Sequence, residues 1–226
     1  MGSIKKNKKG SLIIISGTTC AGKGTVIKEL LNNNDDLILS VSYTSREIRK
    51  GDIDDVTYHF VSRKEFEQKI ANDDFLEYAL VHDHYYGTPK MEIEQQLNSG
   101  KDVILEIEVQ GAKIIKEKFP ETILIFVLAP SMQELKRRII ARGSETKTQI
   151  IRRFKTAYQE LNEISKYNYV VINNDVSEAV KKIEAILISE KCRVDRIEEL
   201  DIENQEEFMH ELLMDSNIEI KDLHLN

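Results

Sequence analysis

The sequence predicts an α/β protein built on a parallel sheet with helices on both faces. Three observations carry that prediction. Short, largely apolar runs recur along the chain at residues 11–16 (SLIIIS), 103–108 (VILEIE), 122–129 (TILIFVLA) and 169–173 (YVVIN), and such runs suit strands buried on both faces. Stretches with helical spacing separate them. The first run leads through a glycine-bearing loop directly into the first helix, an order of strand, loop and helix that places backbone amides at a helix N-terminus.

The elements follow in order. After the loop, Val26, Ile27, Leu30 and Leu31 recur at helical spacing. Residues 41–97 read differently: SVSYTSR, YHFV and FLEYALV alternate or carry aromatic residues, and one helix at 63–72 interrupts them. They suggest a mixed lobe inserted into the core. Helices are expected at 109–118, 131–141 and 147–164, and AVKKIEAIL after Ser177 is a further helix packed on the core. The core is thus assigned to 11–40 and 98–190. Residues 1–10 form a basic, flexible leader, and 191–226 an acidic extension that is either a surface helix or disordered.

At 226 residues the chain suffices for one domain with an inserted lobe. No run of 18 uncharged apolar residues occurs, and the leader MGSIKKNKKG lacks the apolar core of a secretory signal, so the expectation is a cytoplasmic protein without a membrane partner. Cys20 and Cys192 are far apart and offer no metal-ligand spacing. The net charge of −7 is concentrated in the tail: residues 195–226 hold 11 acidic and 2 basic side chains, and the rest is close to neutral. A near-neutral body with arginines gathered in a few stretches suits a small anion and argues against a nucleic-acid partner.

The loop reads GTTCAGKGT, made of Gly17, Thr18, Thr19, Cys20, Ala21, Gly22, Lys23, Gly24 and Thr25. It meets the phosphate-loop pattern at Gly17, Gly22 and Lys23, but the hydroxyl expected after the lysine arrives one residue late, at Thr25. Gly22 allows the backbone close to a phosphate, and Lys23 reaches its terminal groups. Cys20 is read first as a small side chain that fits its place, and second as a thiol activated by the helix end.

A second anion site is suggested by SYTSREIRKGD at 42–52, where Arg46 and Arg49 lie three apart beside Ser42, with Tyr58 beyond. Paired guanidinium groups and a phenol suit a phosphate monoester. For two arginines alone, a solvated basic loop is the ordinary alternative. In FLEYALVHDHYYGTP, Glu77 lies in an apolar and aromatic setting with Tyr86 and Thr88 nearby. Such a carboxylate accepts the paired N–H donors of a guanine edge, or else an ordinary Lys or Arg partner. The stretch RRIIARGSETKTQIIRRF at 137–154 flanks a Gly-Ser-Glu-Thr turn with arginines, as a mobile lid over about 138–155 would.

Together these motifs, with ILEIEVQG at 104–111, resemble the guanylate kinase family from about residue 11 to 187. The resemblance implies a phosphate-loop nucleoside monophosphate kinase fold with a GMP-binding lobe at 41–97 and a helical lid. It implies transfer of the γ-phosphoryl group of ATP to GMP, and to dGMP, with Mg²⁺ as cofactor. It places Ser42, Arg46, Arg49, Tyr58, Glu77, Tyr86 and Thr88 at the GMP-binding positions and counts Glu106 and Glu108 with them. Lys23, Arg49, Arg142 and Arg153 become the catalytic cations. Arg138 joins the loop on the ATP side, and Asn174, at the sheet's carboxyl edge, faces the adenine. Thr25 and, through water, Glu106 are the metal contacts. The family commonly writes its loop with Gly after the lysine, so Gly24 is regular. Departures are Cys20 for a glycine, Glu108 for an aspartate and Asp55 for a glycine. Two alternatives stay open, a related interaction module without catalysis and a kinase for another nucleoside monophosphate, as do the monomer and the homodimer.

Overall fold

A computed structural model describes residues 4–6, 9–49, 51–81, 83–141 and 147–200. These fall into two units, one within Lys8–Ile186 and the other within Met1–Asn7 and Leu187–Asn226. In the smaller unit, β1 (Ile4–Lys6) pairs antiparallel with a strand at Ile197–Leu200, an element absent from the sequence reading.

The larger unit opens with β2 (Leu12–Gly17), in which Ile13, Ile14 and Ile15 are fully buried. Burial on both faces is the reason the run lacks alternation, and each such side chain contributes about 2 kcal/mol. Helix α1 (Lys23–Asn32) buries Val26, Ile27 and Leu30, and β3 (Leu37–Leu39) follows. The lobe contains β4 (Tyr43–Thr44), β5 (His59–Phe60), α2 (Arg63–Ala71), β6 (Phe75–Val81) and β7 (His84–Pro89). A reciprocal capping box between Ser62 and Glu65 starts α2. Next come α3 (Lys90–Asn98), β8 (Asp102–Leu105), α4 (Val109–Lys118), β9 (Ile123–Leu128), α5 (Met132–Ala141), α6 (Lys147–Leu161), β10 (Tyr169–Ile172) and α7 (Val176–Glu190). The Ile197–Leu200 strand is β11.

The central sheet is wholly parallel, in the order β10-β9-β2-β8-β3. All its carboxyl ends therefore lie along one edge, where ligands bind in open α/β sheets. One apolar cluster joins Ile14, Val103, Leu105 and Leu124 of the sheet to Ile93 and Leu97 of α3 and Ala112 and Ile115 of α4. The lobe sheet is mixed, in the order β5-β4-β7-β6, and stacks Phe66 on Phe75 and Tyr85 with centroids 4.6 and 5.1 Å apart. Gly87 makes room for this stack, since a Cβ there would stand 2.8 Å from the Phe66 ring.

Three expectations change. The strand read through residue 108 stops at Leu105, because the chain leaves the sheet there and keeps its two carboxylates, Glu106 and Glu108, out of the strand. The long helix stops at Leu161, and a 3₁₀ turn occupies Ile164–Lys166. The strands β3 and β7 and the helix α3 were not anticipated. Among the described residues no helix is long and apolar enough to cross a membrane.

Candidate active site

The loop after β2 is built to receive an anion. Gly22, at φ 90°, is the N-cap of α1; no side chain caps the helix and no acidic residue stands in its first turn. No carboxylate of the helix itself competes for the first-turn amides, and the helix end adds partial positive charge. The Lys23 ammonium lies back over the loop and donates to the Gly17 carbonyl at 2.8 Å. Gly24 and Thr25 are exposed. A Cβ on Gly24 would have Glu106 Oε2, 4.0 Å away, as its nearest neighbour, so crowding does not require a glycine there.

Cys20 is a different matter. It adopts φ 60°, in the left-handed region, and its side chain packs against Leu135, Ile139 and Ala157 of α5 and α6. The structure favours the reading of Cys20 as a small packing side chain.

Neighbouring elements grip the rest of the loop. Arg138 of α5 donates from Nη1 to Ala21 O at 3.1 Å, from Nη2 to Asn173 O at 3.0 Å and from Nε to Glu134 at 2.7 Å. Arg137 and Arg138 hold the Glu134 carboxyl down at about 2. Buried Asn173 donates to Ala21 O at 2.8 Å, and its Nδ2 stands 2.5 Å from where a Gly22 Cβ would be. Gly22 is required by that close approach as well as by its φ. Arg153 of α6 donates to Thr19 Oγ1 at 3.1 Å, and the Thr19 amide donates to buried Glu160 at 3.1 Å. Desolvation, reinforced by the charge of hydrogen-bonded Glu108, raises the Glu160 carboxyl to about 7.

The sequence points to Asn174 at this edge, but Asn174 is exposed and Asn173 is the residue on the loop. It does not single out Glu160, whose signal is an acidic residue three positions after Ala157 on the buried face of a helix. Arg142 lies outside the described residues.

On the lobe side, Arg46 is buried, and its Nη1 donates to Asp52 Oδ2 at 2.9 Å and to Glu47 O at 2.8 Å. Its guanidinium lies 5.5 Å from the Tyr58 ring centroid, and Tyr58 meets Tyr86 edge to face at 5.7 Å. The same Asp52 oxygen accepts from the Arg49 amide at 2.7 Å, while Arg49 itself is exposed. Hydrogen bonds from Arg46 and then from the Arg49 amide lower the Asp52 carboxyl. Ser42 immediately precedes β4, its carbonyl accepting from His59 N at 2.9 Å. Glu77 is buried, faces Thr88 across the β6–β7 ladder and accepts from the Thr88 hydroxyl at 2.6 Å. Burial pushes its carboxyl up.

Glu106 stands between the two groups. Desolvation raises its carboxyl, the Lys23 charge opposes that shift, and its own charge is felt at Tyr58. The residue is nonetheless exposed to solvent. Among the described residues no three His, Cys, Asp or Glu side chains cluster to hold a metal alone. Glu106 close to the loop at Gly24, with the Thr25 hydroxyl in the first turn of α1, does fit Mg²⁺ that arrives with phosphate oxygens and water supplying most of its ligands.

The model of the guanylate kinase family matches residues 9–190. The guanylate kinase of Clostridium perfringens (strain SM101 / Type A) is 56% identical over 215 residues, covering 95% of this chain and all of that one. That of Caldanaerobacter subterraneus subsp. tengcongensis is 56% identical over 205 residues, covering 91% of this chain and 98% of its own. The crystal structure of guanylate kinase from Anaplasma phagocytophilum superposes with a TM-score of 0.71 at 29% identity, covering 92% of this chain and 97% of that one. With the family model matched over most of its length, this chain belongs to the guanylate kinase family.

Proposed function

We propose that the protein transfers the γ-phosphoryl group of ATP to GMP, and to dGMP, releasing ADP and GDP. The observation that carries this reading is the pairing of an uncapped, lysine-bearing loop with a second cradle of Arg46, Tyr58, Tyr86 and Glu77, and with Glu106 between them. In the reaction an oxygen of the GMP phosphate attacks the γ-phosphorus, and the bond from that phosphorus to the β,γ-bridging oxygen breaks as ADP leaves. Such a transfer asks the protein to align two anions and neutralise charge, with no covalent step of its own.

On this reading each group has a role. The first-turn amides of α1 and Lys23 hold the donor phosphates. Arg46, Arg49, Tyr58 and Tyr86 hold the acceptor phosphate, Glu77 with Thr88 and Ser42 receives the guanine edge, and Glu106 and Glu108 line the cleft beyond β8. Arg153 reaches the donor loop from α6, and Arg142 completes the cationic set. Arg138 and the β10 edge, with Asn173 and Asn174, support the loop and the adenine. Thr25 and Glu106 would hold Mg²⁺, which when bound spreads the charge of the donor phosphates. On the same reading residues 41–97 take the acceptor, 138–155 act as the lid, and the protein works in the cytoplasm as a monomer or homodimer.

The test is production of GDP from Mg-ATP and GMP, with Lys23→Ala as control. Wild-type protein yielding no more GDP than Lys23→Ala would overturn the assignment. A panel of other monophosphates giving faster turnover than GMP would redirect it to another acceptor.

A further inference from the structure

We propose that Glu160 is a positioning residue: its carboxylate fixes the Thr19 amide, so that α6 sets the shape of the donor loop for ATP. This deepens the assignment above and rests on it. Thr19 is held by α6 at two points, through its amide to Glu160 Oε2 and through its hydroxyl from Arg153 Nη1, both at 3.1 Å. Residues 153 and 160 are two helical turns apart and share one face, so a single rigid element grips both ends of one loop residue.

Glu160 is only 7% exposed, and a buried carboxylate is costly unless its oxygens are used. Here one oxygen takes a backbone amide of the loop, while the neighbouring Glu108 carboxyl pairs with the group only through a shared proton, which with burial pushes Glu160 up to about 7. The segment it holds is tightly turned: Ala21 N donates to Thr18 O at 3.0 Å and Cys20 adopts φ 60°. The Thr19 amide committed to Glu160 fixes where the loop turns toward α1, whose first-turn amides no side chain caps. Without that acceptor, α6 keeps residue 19 by its hydroxyl alone, its peptide can turn, and those amides lose their common focus.

The experiment compares Glu160→Ala with Glu160→Gln, since glutamine keeps a carbonyl oxygen that accepts from Thr19 N–H. Glu160→Ala is expected to raise the KM for ATP by about tenfold while the KM for GMP stays within about twofold, and Glu160→Gln to restore the ATP value to within about threefold. Amide hydrogen exchange at Thr19 should quicken in Glu160→Ala and not in Glu160→Gln. Equal rises in both KM values, an unchanged ATP KM, or a Gln variant as impaired as Ala would overturn the proposal. If Glu160→Ala does not fold, Glu160→Asp takes its place, expected to show faster Thr19 exchange and a raised ATP KM because its acceptor is drawn back by one methylene. If the wild-type protein makes no GDP, the functional assignment fails on its own. Calorimetric ATP affinity and Thr19 exchange in the same variants then still decide the role of Glu160.

Discussion

The Thr88 hydroxyl donates to the Glu77 carboxylate at 2.6 Å, from the position directly across the β6–β7 ladder. One oxygen of a buried acid is thereby satisfied, and the shift of Glu77 above its ordinary value of 4.5 shows that burial outweighs this bond and the more distant Lys118 charge. An acid raised on folding contributes stability that is fully present below the unfolded value and is lost as pH rises through the folded one. Glu77→Gln should therefore raise the unfolding midpoint at pH 8 relative to wild type, with a smaller difference at pH 4. On the proposed function the ionised form is the one that receives guanine, so the wild-type KM for GMP should rise as pH falls through the folded value. The Gln variant should show a high KM that is flat with pH. A wild-type KM for GMP that is flat over the same range would remove Glu77 from the guanine site.

Gly111 bears on the same carboxylate. A Cβ there would stand 2.9 Å from Glu77 Oε2 and 3.1 Å from its Cδ, while the residue lies within α4, where alanine is the better helix former by about 0.5–1 kcal/mol. The two effects oppose one another in stability and act on different properties. Gly111→Ala should change the unfolding free energy by less than about 1 kcal/mol and raise the KM for GMP severalfold, leaving that for ATP unchanged. Denaturant unfolding and steady-state kinetics check it, and an unaltered GMP KM would show that Glu77 can move without loss.

At Cys20, left-handed backbone costs a non-glycine residue about 1–2 kcal/mol, while glycine adds about 0.4–1 kcal/mol of chain entropy to the unfolded state and gives up the packing on Leu135, Ile139 and Ala157. These nearly cancel, so Cys20→Gly should leave stability within about 1 kcal/mol of wild type. Cys20→Val, branched at Cβ, should lose about 2 kcal/mol or more by urea unfolding. A valine variant as stable as the glycine one would contradict the left-handed conformation.

Asn173 and Asn174 offer an internal contrast. Removing the buried Asn173 amide leaves the Ala21 carbonyl without that donor and opens space beside Gly22, so Asn173→Ala should cost about 1–3 kcal/mol and weaken ATP binding. Asn174→Ala, at an exposed position, should stay within about 0.5 kcal/mol. Parallel melting curves and ATP titrations check the pair, and the reverse order would return the adenine edge to Asn174.

What could be read in advance were the local signals. Ile13 to Ile15, the Gly22–Lys23 step and the apolar stripe of α1 each announce themselves within a few residues, and the sheet core followed from them. The strand β3 is only three residues long, and α3 buries just Ile93 and Leu97, too little periodicity to stand out. Glu106 and Glu108 were drawn into a strand because the alternation of VILEIE continues past the point where backbone pairing ends. Asn173 and Glu160 gain their meaning from loop residues more than 140 positions away in the chain. Only the fold brings such partners together.

The Lys23 ammonium resting on the Gly17 carbonyl carries a last consequence. A free lysine side chain gives up as much as about 1.5–2 kcal/mol of rotamer freedom when it is fixed. Here that ordering belongs largely to folding, so an arriving polyphosphate finds the cation already in place and binding loses less entropy than it would to a waving side chain. The loop is in this sense half-assembled for a guest, and its lysine needs only to exchange one oxygen partner for another.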